Sequence, residues 1–82
     1  MSVVGVVGLG YVGLPLAIEF GKHQETIGFD TNVAKIESYA RGVDPAGETS
    51  GEVLRSAGQL RFTSDAADLA REAEVHDEEV TA

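Results

Sequence analysis

Val3-Val4-Gly5-Val6-Val7-Gly8-Leu9-Gly10-Tyr11-Val12-Gly13-Leu14-Pro15-Leu16-Ala17 and, nine residues on, Thr26-Ile27-Gly28-Phe29-Asp30 decide how this chain folds. The first five residues form a short apolar run rich in β-branched side chains. Such a run suits a strand covered on both faces, as in a parallel sheet. It ends in glycines at 8, 10 and 13, and a helical pattern follows. Val12, Leu16 and Phe20 recur every four residues with Ala17 beside them, while Glu19 and Lys22 take the other face. Pro15 should remove one hydrogen bond near the helix start, to the carbonyl of Tyr11, so a slight kink is expected there. Gly21 and Lys22-His23 mark the helix end. Thr26–Phe29 reads as a second buried strand, and Asp30 sits at its C-terminal end.

A G-x-G-x-x-G turn means little by itself in a chain with 10 glycines in 82 residues. Its context gives it weight: a buried strand precedes it, an amphipathic helix follows, and an acid closes the next strand. Each glycine then has a mechanical task. Gly8 permits a tight turn out of the strand, Gly10 lets the backbone approach a pyrophosphate, and Gly13 lets the helix pack closely on the strand. Free N–H groups at the positive helix end receive the phosphate charge. Asp30 lies 20 residues after Gly10, the spacing of a carboxylate that accepts from the adenosine ribose. It would repel a 2′-phosphate, and neither Thr31 nor Asn32 offsets it, so NAD is favoured over NADP. The same glycines would also serve a tight turn without a ligand, and Asp30 would also serve as a helix cap; capping and ribose binding can coexist. By spacing, Lys35 reads as a solvated surface lysine within reach of the site. Tyr11 and Val12, inside the turn, are expected to pack rather than react.

Further along, Asn32 can cap a helix whose apolar stripe is Val33, Ile36 and Ala40, with Gly42 as its stop. Residues 43–50 contain Pro45, Gly47 and several polar side chains, and read as a loop. Thr49 with Glu52 resembles a capping box for a short helix over about residues 51–57. Arg61-Phe62-Thr63 is a third strand, and Ser64 or Asp65 caps a helix over 66–73 with Leu69 and Ala73 inward. An α/β domain should then supply another buried strand. Residues 74–82 instead carry four acids, Glu74, Asp77, Glu78 and Glu79, and are expected to be a frayed tail.

Bulk composition narrows the function classes. A chain of 82 residues is at most one small domain. With 14 acids against 6 bases the net charge is −8, which repels nucleic acid and anionic membrane surfaces. Cysteine is absent, so disulfides, thiolate metal sites and cysteine nucleophiles within these residues are excluded. There is no signal peptide pattern and no apolar run near the ~18 residues a bilayer requires, so a cytoplasmic location is expected. His23 and His76 have no evident partners and are expected at the surface. No metal-ligand or Ser/His/Asp constellation is present, and no catalytic residue is assigned.

The quoted stretch also carries a resemblance. V-G-V-V-G-L-G-Y-V-G-L-P-L-A (residues 4–17), I-G-F-D-T-N-V-A-K-I (27–36) and L-R-F-T-S-D (60–65) resemble the N-terminus of the UDP-glucose/GDP-mannose dehydrogenase family. The loop D-P-A-G-E-T-S (44–50) and the L-R-F-T-S-D segment look closest to its UDP-N-acetylhexosamine branch. The resemblance covers roughly residues 3 to 75. It implies an NAD-dependent oxidoreductase that oxidises the C6 alcohol of a UDP-sugar to a carboxylate, with two NAD per sugar. Carried over residue by residue, the family's cofactor-binding positions are Gly8, Gly10, Tyr11, Val12, Gly13, Asp30 and Lys35. The family's cysteine nucleophile, with the lysine, asparagine and aspartate that assist it, has no counterpart among these residues, and the T-V-P-T-P-like strand end is missing from 76–82. The expectation is therefore an incomplete Rossmann domain over 1–75: the first βαβαβ half, with parallel strand order 3-2-1 and a disordered or non-native tail over 76–82. The first strand would be an exposed apolar edge. Such a chain would bind the ADP side of NAD and be inactive alone. A stand-alone ADP- or NAD-binding module is the alternative. An FAD-dependent or methyl-donor-dependent Rossmann-like enzyme fits the acid equally well and is disfavoured by the G-Y-V-G-L-P resemblance.

Overall fold

The computed structural model describes residues 3–73 and 79–81. Strand β1 (Val4–Val7) leads through the glycine turn into helix α1 (Gly13–Gly21), and β2 (Thr26–Phe29) pairs with β1 in parallel register, Val4 beside Thr26 and Val7 beside Phe29. Helix α2 (Val33–Ala40) and the short α3 (Gly51–Ser56) return the chain to β3 (Leu60–Thr63), parallel to β2. Helix α4 (Ala66–Ala73) then crosses back to β4 (Glu79–Thr81). The sheet order is β3-β2-β1-β4, all parallel. The change of direction from leftward to rightward winding falls between β1 and β4, the switch point at which doubly wound sheets bind ligands.

The expected order 3-2-1 is present, and the sheet has one more member. Glu79–Thr81, assigned from its acids to a frayed tail, pairs with β1 from Gly5 to Val7, so β1 is an interior strand and not an apolar edge. The acid count misled because backbone pairing asks only for an extended chain beside β1, and a three-residue outer strand needs no apolar cover on both faces. The rest of the expected tail, residues 76–78 and 82, lies outside the described residues, as does His76.

Alternation along the strands sorts the helices. Leu60 and Phe62 point toward α1 and α2, where a Cβ on Gly21 would sit 2.6 Å from Leu60 Cβ and the Tyr39 and Phe62 rings lie 5.4 Å apart. Thr63 points the other way and donates from its hydroxyl to Asp68 of α4 at 3.0 Å. The α1/α2 side holds the core: Val4, Val6, Leu9, Leu14, Ala17, Ile18, Ile36, Tyr39 and Leu54. Complete burial of Leu9 and Val6 stabilises by about 1.5–3 kcal/mol each.

Helix faces differ from the periodicity reading. On α1 the buried positions are Gly13, Leu14, Ala17, Ile18 and Gly21, whereas Val12 is exposed and Leu16 and Phe20 are half-buried. The stripe is turned by about one residue because Gly13, Ala17 and Gly21 form a flat strip that lets the helix lie close on the sheet. On α2 the stripe is Ile36 and Tyr39, with Val33 and Ala40 exposed. Pro15 interrupts the backbone series at the helix entry: the Leu14 N–H donates to Gly10 and the Leu16 N–H to Val12, so the bond the proline cannot make is the one to the Tyr11 carbonyl, as the sequence predicts.

Caps behave locally. Asn32 accepts from the Lys35 N–H, and Asp65 accepts from the Ala67 N–H, as expected. Gly42 at φ +81° ends α2: its N–H donates to Tyr39 and that of Val43 to Ser38, a Schellman arrangement. The cap of α3 is Ser50, which accepts from the Val53 N–H, in place of the expected Thr49.

Candidate dinucleotide-binding site

Two strand ends and one turn build the site. β1 and β2 finish side by side, and Gly8, at φ +93°, turns the chain sharply while its N–H donates to the Phe29 carbonyl at 2.8 Å. A side chain would be strained there, which is why a glycine opens the turn. Leu9 then plunges into the core at 0% exposure and packs over Gly28; a Cβ at 28 would lie 3.0 Å from a Leu9 methyl. Gly10 is exposed, and its carbonyl accepts from the Leu14 N–H at 3.1 Å. Gly13 is buried as the first residue of α1.

Tyr11 and Val12 do not pack as expected. They are 83% and 64% exposed, standing at the mouth of the turn. Leu9 takes the core position, which forces the next residues outward. Their exposure leaves them available to a ligand.

Asp30 follows β2 and lies directly under the turn. Its Oδ2 accepts from the Leu9 N–H at 3.0 Å and faces the Lys35 ammonium at 3.7 Å, and its Oδ1 accepts from the Asn32 N–H at 3.0 Å. Burial alone would raise this carboxyl, but the N–H groups of Asn32 and Leu9 and the charge of Lys35 outweigh it and hold the carboxyl below its ordinary value. The group is thus ionised near neutrality, with lone pairs left for sugar hydroxyls. Asp30 thus ties the entry of α2 to the turn: Asn32, not Asp30, is the N-cap of that helix, and Asp30 holds the Asn32 N–H in place. Lys35 is drawn to the site by Asp30; spacing had suggested a free surface lysine.

Two contributors were not anticipated. Tyr39, 4% exposed, donates its hydroxyl to the Leu9 carbonyl at 3.0 Å across 30 residues. Burial pushes its phenol up, with the carboxylates of Asp44 and Asp30 adding to the effect, so the hydroxyl stays protonated and donating. Its i+3 spacing from Ile36 is a signal that could have placed it on the inner face instead of Ala40, but nothing local names the partner. Asp44 shapes the 43–50 loop by accepting from the N–H groups of Ala46, Glu48 and Thr49 at 2.9–3.1 Å. The Asp-Pro-x-Gly sequence is a turn signal that could have found it. This loop, Lys35, Tyr39 and the Gly10-Tyr11 segment enclose a cavity of about 250 Å³.

The arrangement fits a dinucleotide. A Cβ built on Gly10 meets nothing within 4 Å, so the space there is left free by the protein itself, unlike that at Gly21 or Gly28. An ionised carboxylate, a lysine and an exposed helix-opening turn lie around it. Among the described residues there is no cluster of metal-ligating side chains, and no helix is long and apolar enough to cross a membrane. His23 is an exposed partner of Glu19 at 3.4 Å.

Comparison with known proteins agrees with this geometry. Residues 2–77 match the UDP-glucose/GDP-mannose dehydrogenase family, NAD binding domain. The chain is 52% identical over 62 residues to the UDP-N-acetyl-D-glucosamine 6-dehydrogenase of Salmonella typhi, covering 76% of this chain and 15% of that protein. It is 48% identical over 66 residues to the enzyme of the same name from Pseudomonas aeruginosa, covering 80% and 16%. The UDP-D-ManNAc dehydrogenase structure from Pyrococcus horikoshii superposes with a TM-score of 0.70 at 28% identity, over 82% of this chain and 17% of that one. The chain therefore spans about a sixth of the length of these relatives. With nearly its whole length matched by that family's model, the chain belongs to the UDP-glucose/GDP-mannose dehydrogenase family, in the part that is its NAD-binding domain.

Proposed function

We propose that this chain holds the ADP side of NAD as the cofactor-binding part of a UDP-sugar 6-dehydrogenase. The observation that carries the reading is the open space over Gly10, bordered by the exposed Tyr11-Val12 segment and by Asp30 and Lys35. In this reading Asp30 accepts from the adenosine ribose and Lys35 steadies the carboxylate. The N–H groups of the turn from Gly10 to Gly13 take the pyrophosphate. NAD supplies the hydride acceptor when bound. The full reaction would oxidise the C6 CH–OH of the sugar to a carboxylate in the cytoplasm. Residues 1–75 would form the N-terminal part of the NAD domain.

The 82 residues contain no cysteine, so the nucleophile that the family resemblance implies is not among them, and alone they should turn over no substrate. Calorimetric titration with NAD, ADP and AMP, paired with an assay for NADH formation from UDP-sugars, tests both statements. Binding of NAD and ADP with no NADH is the expected result. A folded sample that ignores both nucleotides refutes the binding reading, and steady NADH formation refutes the inactivity.

A second reading, a self-sufficient nucleotide-binding module, gains support from one feature: β4 covers β1, so the sheet has no long apolar edge at that side. A monomer that stays soluble and binds ADP as tightly as NAD would favour it.

A further inference from the structure

We propose that Tyr39 is a positioning residue that aims the Gly10 N–H outward for the pyrophosphate of the dinucleotide, an inference that rests on the NAD-binding reading above. A trans peptide is planar, and its C=O and N–H point in opposite directions. The carbonyl of Leu9 and the N–H of Gly10 belong to one such plane. Tyr39 holds the carbonyl end in a buried hydrogen bond of 3.0 Å. The N–H end must therefore face away from the core, toward the side on which Gly10 is exposed and its Cβ direction is empty.

The anchor is firm and comes from a separate element. Tyr39 projects from α2, is 4% exposed, and its ring lies against Phe62 at 5.4 Å with a 40° tilt. The preceding peptide is held independently, because the Leu9 N–H donates to Asp30 Oδ2. Two consecutive peptides of the turn are thus fixed by two side chains, one at the end of β2 and one on α2. Tyr39 matters because Gly10 offers no resistance of its own. A glycine accepts either sign of φ, so the Leu9–Gly10 plane could turn over at little cost and point its oxygen at the phosphate. Preorganising an N–H toward an anion avoids that reorganisation on binding.

The test compares the chain with its Tyr39→Phe variant, titrated with NAD and with adenosine and followed by calorimetry and amide NMR. Phenylalanine keeps the ring packing and leaves the Leu9 carbonyl unpaired. NAD should bind the variant about tenfold more weakly, the cost of one buried hydrogen bond left unmade. Adenosine, which has no pyrophosphate, should bind both proteins alike. In the wild type the Gly10 amide resonance should move with NAD and stay still with adenosine, which tests the Gly10 contact the proposal requires even if the variant does not fold. Equal NAD binding by the two proteins overturns the proposal, and so does a Gly10 amide that ignores NAD. An equal loss for NAD and adenosine also overturns it, since that outcome assigns Tyr39 to stability alone. A wild type that binds neither ligand refutes the NAD reading, and the inference falls with it.

Discussion

Replacing Gly10 by alanine should make the protein more stable and a worse binder of NAD. The two effects are separable because the structure leaves the methyl unopposed: nothing lies within 4 Å of a Cβ at this position, and the backbone is not in the left-handed region. A glycine-to-alanine change in compatible geometry stabilises by about 0.4–1 kcal/mol through the unfolded chain. For a domain this small that raises Tm by roughly 2–8 °C. The same methyl would occupy space where a phosphate must approach the N–H groups of the turn. Losing one charge-assisted hydrogen bond costs about 1.5–3 kcal/mol, or roughly ten- to a hundredfold in Kd. Thermal unfolding by circular dichroism and calorimetric titration with NAD, on the same preparation, measure both. An alanine variant that binds NAD like the wild type would show that the pyrophosphate does not pass over Gly10. A variant with a lowered Tm would show that the space is not open.

Other perturbations should give equally distinct outcomes. Gly21→Ala should destabilise by about 1–3 kcal/mol despite a helix-propensity gain of about 1 kcal/mol, because its Cβ would sit 2.6 Å from Leu60 Cβ; a urea midpoint that rises contradicts this. Asp30 has a folded-state pKa below its unfolded value, so it contributes stability that is complete above about pH 4 and withdrawn as the pH falls through the folded pKa. Asp30→Asn should flatten that acid limb and weaken NAD binding, and an unchanged acid-unfolding profile would count against the assigned environment. Asp44→Ala should release the N–H groups of residues 46, 48 and 49 and cost about 1 kcal/mol; hydrogen exchange should speed up at those amides and not in β1 or β2.

Local chemistry determined much of this protein before any tertiary contact. Strands at 4–7 and 26–29 follow from short β-branched runs between turn residues, and the glycine spacing with Asp30 twenty residues on fixes which ends meet. Asn32, Asp65 and Gly42 act within a few residues of themselves, so their capping and stopping roles were readable. The tertiary structure decided what depends on distant neighbours. Which face of α1 is buried follows from the flat Gly13-Ala17-Gly21 strip meeting the sheet, and four-residue apolar periodicity cannot distinguish that face from the one beside it. Glu79–Thr81 becomes a strand because β1 offers unpaired backbone groups, which composition does not register. Lys35 joins the site through the field of Asp30, and Tyr39 through a carbonyl 30 residues away. The sequence by itself supplied the parts of a nucleotide-binding turn. Only the placement of α2, which brings the Tyr39 hydroxyl to the Leu9 carbonyl, decided how that turn is held, because a hydrogen bond across 30 residues has no local signature.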